Sequence, residues 1–248
     1  MTKIGDVSGQ ANSAAAERRM RSWATGLSVR DRIDKEKSVT DVSELVHPFV
    51  TISRQTGAGG SSLGCRVAEL LKWQLLDHEL LHHIAETYHL PESMLEYVDE
   101  HSSGWVYEIF GKWLYDRAVT QTEYVTHLGQ TLLTAVHHES TVIVGRGARF
   151  LLPRERGVAV RVVAPLNQRV ERICELHGLD RPAAKKYVEK NDAERREFVE
   201  RYFHHDVTDP NAYDLVINRE FVDLETAAGF IVELCKQRFR GDVPVLPR

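Results

Sequence analysis

From His47 onward, short apolar runs alternate with longer stretches of helical periodicity. The runs Phe49–Ser53, Gln74–Asp77, Thr141–Val144, Val158–Ala164 and Tyr213–Ile217 are rich in Val, Ile and Leu and bounded by polar or glycine-containing turns. Their apolarity is continuous rather than alternating, the pattern of parallel strands covered on both faces. Between them the spacing predicts helices over about 61–73, 79–89, 91–101, 105–138, 166–177, 181–204 and 223–239, the long stretch 105–138 being broken near Gln121 or Gly129. The alternation predicts an α/β fold, a doubly wound parallel sheet of about five strands with its ligand at the carboxyl ends of the strands.

Residues 1–45 break the pattern. They are rich in Ala, Ser, Arg, Lys and Asp, with one candidate helix at Ala14–Leu27 and a charged stretch at Arg30–Ser43. We divide the chain into an N-terminal arm (1–45), partly disordered, helical or packed on a partner subunit, a domain (46–241) and a C-terminal tail (242–248).

The first strand runs into FVTISRQTGAGGSSLG, residues 49–64. A glycine-rich turn between strand and helix can aim backbone N–H groups and a helix N-terminus at a phosphate. Gly57, Ala58, Gly59, Gly60, Ser61 and Ser62 form this loop, and Ser61 or Ser62 can cap the helix or face a phosphate-bound Mg²⁺. Against the pattern G-x-x-x-x-G-K-[ST], Arg54 stands in place of the first glycine and Gly60 in place of the lysine. Arg54 can reach a phosphate from the other end of the loop, or be a surface arginine at a strand end. The loop itself can be an ordinary glycine turn.

Composition narrows the partners. Apolar residues make 42% and charged residues 27% of the 248, and the net charge is −4, so any anionic ligand must meet a local group of arginines. Arg146 ends a buried strand at the ligand edge, with Arg149 as a companion. Asp192 and Arg195 are three apart and share a helix face, either as a ligand-facing pair or as an ordinary ion pair in a charged stretch. Arg196 and Arg201 are alternatives on the same helix. Asp77 ends the second strand, where it can cap a helix, bind a ribose hydroxyl or order water near Mg²⁺. Cys65, Cys174 and Cys235 fit neither a disulfide framework nor a zinc set, and Cys65 and Cys235 are expected in the core. The adjacent pairs His82-His83, His137-His138 and His204-His205 point apart on a helix and make poor chelates. Trp105, Tyr107 and Trp113 read as core or dimer contacts. With no signal-peptide core, no membrane span and no basic aromatic stripe, the expectation is a cytoplasmic protein that binds neither membrane nor nucleic acid.

The motif Ser53 to Gly64 resembles the opening segment of the cytidylate kinase-like family. The resemblance continues through Leu76-Asp77-His78-Glu79-Leu80-Leu81, Val142-Ile143-Val144-Gly145-Arg146-Gly147, Val160-Arg161-Val162-Val163-Ala164-Pro165 with Arg169, Asp192-x-x-Arg195, and Tyr213-Asp214-Leu215-Val216-Ile217-Asn218. The missing lysine is itself shared with that family. The resemblance implies a P-loop nucleoside monophosphate kinase fold with a monophosphate-binding region, to which Asp77 and Arg146 belong, and a lid carrying Asp192 and Arg195. It implies ATP with Mg²⁺, bound near Ser61, and CMP or dCMP as the default acceptor. Gly147 stands where CMP kinases carry the aspartate of G-R-D, and Val188 where their lid carries a further arginine. A nucleotide sensor or scaffold of the same fold is the alternative, and a homodimer is expected to form through the arm or helices 105–138.

Overall fold

The computed structural model describes residues 42–77 and 123–241, together with Arg18. Within them β1 (Phe49–Arg54), β2 (Gln74–Leu76), β3 (Thr141–Val144), β4 (Gly157–Val163) and β5 (Leu215–Asn218) form one all-parallel sheet of order β2-β3-β1-β4-β5. The strands fall where the apolar runs placed them. β1 is central. Ile52 pairs with Val144 on one side, and Ser53 pairs with Arg161 on the other. The first residue beyond β3, Gly145, is therefore level with Ser53, and its N–H bonds the Ile52 carbonyl.

The helices are α1 (Val42–Leu45), α2 (Gly60–Leu71), α3 (Glu123–His138), α4 (Ala148–Leu151), α5 (Leu166–His177), α6 (Arg181–Phe203) and α7 (Leu224–Arg238). Leu63, Val67, Ala68 and Leu71 recur at helical spacing on α2 and bury one stripe of it. With α7 they cover one sheet face, against Val50, Ile52, Val142, Val144, Val158, Val160 and Val162. The other face, including Phe49 and Ile143, is covered by α3, α4 and the end of α6. Continuous apolarity in the strands follows from this double covering. Asp180 and Asp223 start α6 and α7 by accepting the N–H groups of Ala183 and Thr226, each at 2.8 Å, caps worth about 1 kcal/mol apiece.

Helix α6 is fastened at its two ends by different clusters. Ala184 and Val188 pack with Val170 and Ile173 of α5. Val199 and Phe203 join the core under α3 and α4. Between them the helix offers no buried apolar residue. Its middle turn, residues 191–196, is held at the carboxyl edge of the sheet by polar contacts.

Two expectations are corrected. Gly129 lies inside α3, so no helix break occurs there. Cys235 is fully buried, but Cys65 is exposed: it follows Gly64, which faces the sheet, and a helix turns about 100° per residue. At the end of the arm, Leu45 is buried in the core and its carbonyl accepts a bond from His137 Nδ1 at 2.6 Å. The helices expected over 79–89 and 91–101, residues 105–122 with their aromatic residues and the other candidate break, the arm up to residue 41 apart from Arg18, His82-His83 and the tail lie outside the described residues, and with them most of the expected dimer contacts. No described helix is long and apolar enough to cross a membrane.

Candidate functional site

β1 ends at Arg54, and the chain turns through Gln55–Gly59 into α2. Gly59 is the N-cap, with φ 80° and no capping side chain. The expected Ser61 or Ser62 cap is not formed, because the helix already starts at Gly60 and both serines sit exposed in its first turn. The first N–H groups of α2 thus stay available to a phosphate. Ala58 is fully buried and pins the turn to the core.

The loop is clamped from outside. Gln55 N–H bonds the Val162 carbonyl at 3.0 Å, and Gln55 Oε1 accepts from Ala164 N–H at 3.1 Å. Arg169, 7% exposed, donates to the Ala164 and Thr56 carbonyls at 2.9 and 3.2 Å and to Asp192 Oδ2 at 2.6 Å. Asp192 Oδ1 accepts the Thr56 N–H at 2.7 Å. A Cβ on Gly57 would lie 2.5 Å from the Arg169 carbonyl oxygen, so the loop rests directly on α5. The Arg172 guanidinium lies against Gly59.

Arg54 explains the missing lysine. A Cβ on Gly60 would stand 2.5 and 2.8 Å from Cβ and Cγ of Arg54, so the arginine's stem occupies the space where a side chain at residue 60 would begin. Its head ends against Gly145, beyond β3. The two departures from the phosphate-loop pattern are therefore one packing unit. Burial, then the nearby Arg195 and Arg146, push the Arg54 guanidinium down to about 9, against a smaller opposing pull from Asp77. Burial also lowers Arg195, partly offset by Asp192. Arg195 Nη1 donates to the Arg54 carbonyl at 3.2 Å. Like charges held together in this way favour an anion among them.

Gly145, Arg146 and Gly147 have φ values of 90°, 52° and 65°. A left-handed arginine costs about 1 kcal/mol or more, strain of the kind that gathers at ligand sites. Arg146 Nε is buried with no hydrogen-bond partner. A cavity of about 430 Å³ opens here, lined by Arg54, Arg146, Arg161, Arg195 and Arg196, with Phe150 and Phe198 on its wall. Gly147 has lost more than a carboxylate: the Phe203 ring fills the space a side chain would take. Gly147→Asp is expected to displace that ring and lower stability by about 1–3 kcal/mol, as overpacking does. Thermal unfolding checks it, and an unchanged midpoint would refute the packing.

Of the predicted site residues, Arg54, Arg146, Asp192 and Arg195 line one cavity. Gly57 to Ser62 do not line it; the loop meets it through Arg54, whose stem packs on Gly60, and Asp77 is within electrostatic reach of Arg54. Asp192 and Arg195 do not form an exposed pair with each other; both reach the end of β1 and its loop. Arg149 lines the cavity but spends Nε on the Ala212 carbonyl at 2.6 Å, and Arg201 stacks on Tyr202 instead. His205 stacks on Phe150 with 4.7 Å between centroids. Among the described residues no group of three or more His, Cys, Asp or Glu side chains converges as a metal site. Sequence reasoning missed the work of Arg161, Arg169 and Phe203. Arg161 did leave a signal, a lone charge inside the apolar run Val158–Ala164.

A sheet of this order with a glycine loop between its central strand and α2 makes the protein a P-loop kinase-type α/β fold. The chain belongs to the cytidylate kinase-like family, whose model matches residues 49–220. Among solved structures it is similar to an uncharacterized protein of Eubacterium ventriosum, with TM-score 0.63, 22% identity, and coverage of 77% of this chain and 99% of that one. A shikimate kinase of Bacteroides thetaiotaomicron also aligns, with TM-score 0.43, 14% identity, and coverage of 76% and 98%. A segment of 116 residues, 47% of this chain, is 28% identical to a uronate isomerase of Corynebacterium glutamicum, and spans 22% of that protein's length. Family and fold support a kinase acting on a nucleotide or another small molecule.

Proposed function

We propose that this protein transfers the γ-phosphoryl group of ATP to a nucleoside monophosphate, with CMP or dCMP as the default acceptor. The observation that carries the reading is Arg54, whose stem crosses the glycine loop and whose head meets the Gly145–Gly147 turn. It spans the gap between a donor phosphate on the loop and an acceptor phosphate at Arg146. Phosphoryl transfer asks for little covalent chemistry; it needs two phosphates in line and positive charge around the moving group. In this reading the N–H groups of Gly57 and of Gly59 to Ser62 hold the donor phosphates, while Ala58, whose N–H bonds the Gln55 carbonyl at 3.2 Å, fixes the turn. Arg54 takes over the charge of the absent lysine. Arg146, with its unpartnered Nε, holds the acceptor phosphate, and Arg195 faces the transferring group. Asp192 positions Thr56 and Arg169 rather than touching substrate. Asp77 steadies Arg54.

Mg²⁺ fits as an ion carried by ATP, because no cluster of acidic ligands among the described residues would hold it alone. The Ser61 hydroxyl, exposed in the first turn of α2, would complete its shell, and the ion would neutralise phosphate charge.

ADP release from Mg·ATP, measured with CMP, dCMP, UMP, AMP, GMP and no acceptor, tests the proposal. The expected result is turnover that depends on one acceptor and falls about 100-fold or more in Arg146→Ala, the scale of a lost charge-stabilising donor. ATP binding with no turnover on these acceptors, on orotidine 5′-monophosphate or on cytidine 3′,5′-bisphosphate would reject the kinase reading in favour of a nucleotide sensor.

A further inference from the structure

Arg161 is a cation in the middle of the sheet. It is 6% exposed, and its side chain lines the cavity on the same sheet face as Ser53. Nη1 donates to Ser53 Oγ at 3.1 Å, and the guanidinium lies 5.6 Å from the centroid of the Tyr213 ring. Tyr213 is held in turn, its hydroxyl donating to the Val207 carbonyl at 2.9 Å. No carboxylate pairs with Arg161 among the described residues. Asp206 is near enough to feel its charge, but that carboxylate is taken by the N–H and hydroxyl of Thr208 at 2.7–2.8 Å. A guanidinium offers five donors, and one hydroxyl and a ring face leave most of them unmet.

The acids that line the cavity do not answer it. Asp192 is engaged by Thr56 and Arg169, and Glu194 is exposed and pairs with Lys190 at 3.7 Å. The position where a carboxylate would follow Arg146 is Gly147, closed by Phe203. The wall therefore presents charged donors and no free acid. The remaining Arg161 donors open into the cavity, where an acidic ligand can meet them. Ser53 is level with Gly145 on one side and Arg161 on the other, so the backbones bearing Arg146 and Arg161 stand two strand spacings apart, about 10 Å. A small molecule spans that interval.

We propose that the acceptor goes beyond the default CMP or dCMP: it carries a second acidic group, besides the phosphate held at Arg146, and Arg161 binds it. This rests on the acceptor occupying the cavity assigned to it above. The group is a carboxylate or a phosphate, since either accepts two parallel bonds from a guanidinium.

Calorimetry on the full chain with two matched pairs tests it: UMP against orotidine 5′-monophosphate, which adds a carboxylate, and CMP against cytidine 3′,5′-bisphosphate, which adds a phosphate. The added acid is expected to tighten binding at least about tenfold in one pair, and which pair gains names the acid. In Arg161→Gln the gain disappears while the parent nucleotide binds within about threefold of its former affinity; Arg161→Lys keeps part of the gain. These margins follow the strength of charge-assisted bonds. A merely structural role for Arg161 would weaken both members of a pair alike. Absence of a gain in both pairs, or a gain that survives Arg161→Gln, overturns the proposal. Since the readout is binding, a failed turnover assay would leave the difference between pair members standing.

Discussion

Gly60→Lys, which restores the usual lysine of a phosphate-binding loop, is expected to weaken this protein rather than improve it. The new Cβ would begin 2.5 Å from Cβ of Arg54, near the root of that side chain, where rotation gives little relief. Forcing the two apart costs about 1–3 kcal/mol, a fall in melting temperature of about 2–4 °C per kcal/mol for a domain of this size. The displaced Arg54 would also leave Gly145, so ATP affinity is expected to fall. Arg54→Ala keeps the fold but removes the bridging charge, with an expected loss of about 10²–10³ in turnover. The double variant Gly60→Lys/Arg54→Gly is the informative one, because alanine at 54 would keep the Cβ that stands 2.5 Å away. With glycine at 54 the lysine has room, and the double is expected to exceed the Gly60→Lys single in melting temperature and ATP affinity, a non-additivity that only shared space produces. A Gly60→Lys single variant that matches the wild type in melting temperature and ATP affinity would reject the coupling.

Asp192→Ala is expected to have the largest effect on stability. One carboxylate holds the Thr56 N–H of the loop and the guanidinium of Arg169. Arg169 is almost wholly buried, and without Asp192 it keeps only carbonyl partners for its charge. Breaking a buried pair by removing one member costs about 3 kcal/mol or more. The middle of α6 would lose its tie to the loop as well, so ATP-induced thermal stabilisation should shrink along with the melting temperature itself. Asp192→Asn keeps an acceptor for Thr56 and is expected to lose less. Unfolding scans with and without Mg·ATP separate the two effects. A melting temperature for Asp192→Ala within about 1 °C of wild type would show that Arg169 needs no counter-charge.

The legible part of the site was what the chain writes locally. Arg54, Arg146 and the Gly57–Ser62 turn follow strands, and strand ends in this class of sheet face the ligand. The spacing of Asp192 and Arg195 told that they share a helix face, but not which neighbours that face would meet. An i,i+3 pair on an exposed helix and a two-pronged clamp on a loop have the same sequence. The Ser61 cap was misread because cap position depends on where the first turn closes, and a left-handed Gly59 takes the cap two residues earlier. Cys65 was misplaced by a similar one-residue turn of the helix.

By itself, the sequence determined the layered α/β architecture, the five parallel strands and the loop's place at their carboxyl edge. Periodicity, glycine and strand ends are local signals, and burial on both faces leaves a continuous apolar run that survives any detail of packing. Only the tertiary structure decided that Gly60 is glycine because of Arg54, that Gly147 is glycine because of Phe203, and that Asp192 belongs to Arg169. It also gave Arg161 a cavity instead of a counter-ion. Each of these is a contest for one volume or one charge between residues far apart along the chain. The winner is settled by how the helices lie on the sheet, which no stretch of sequence encodes alone.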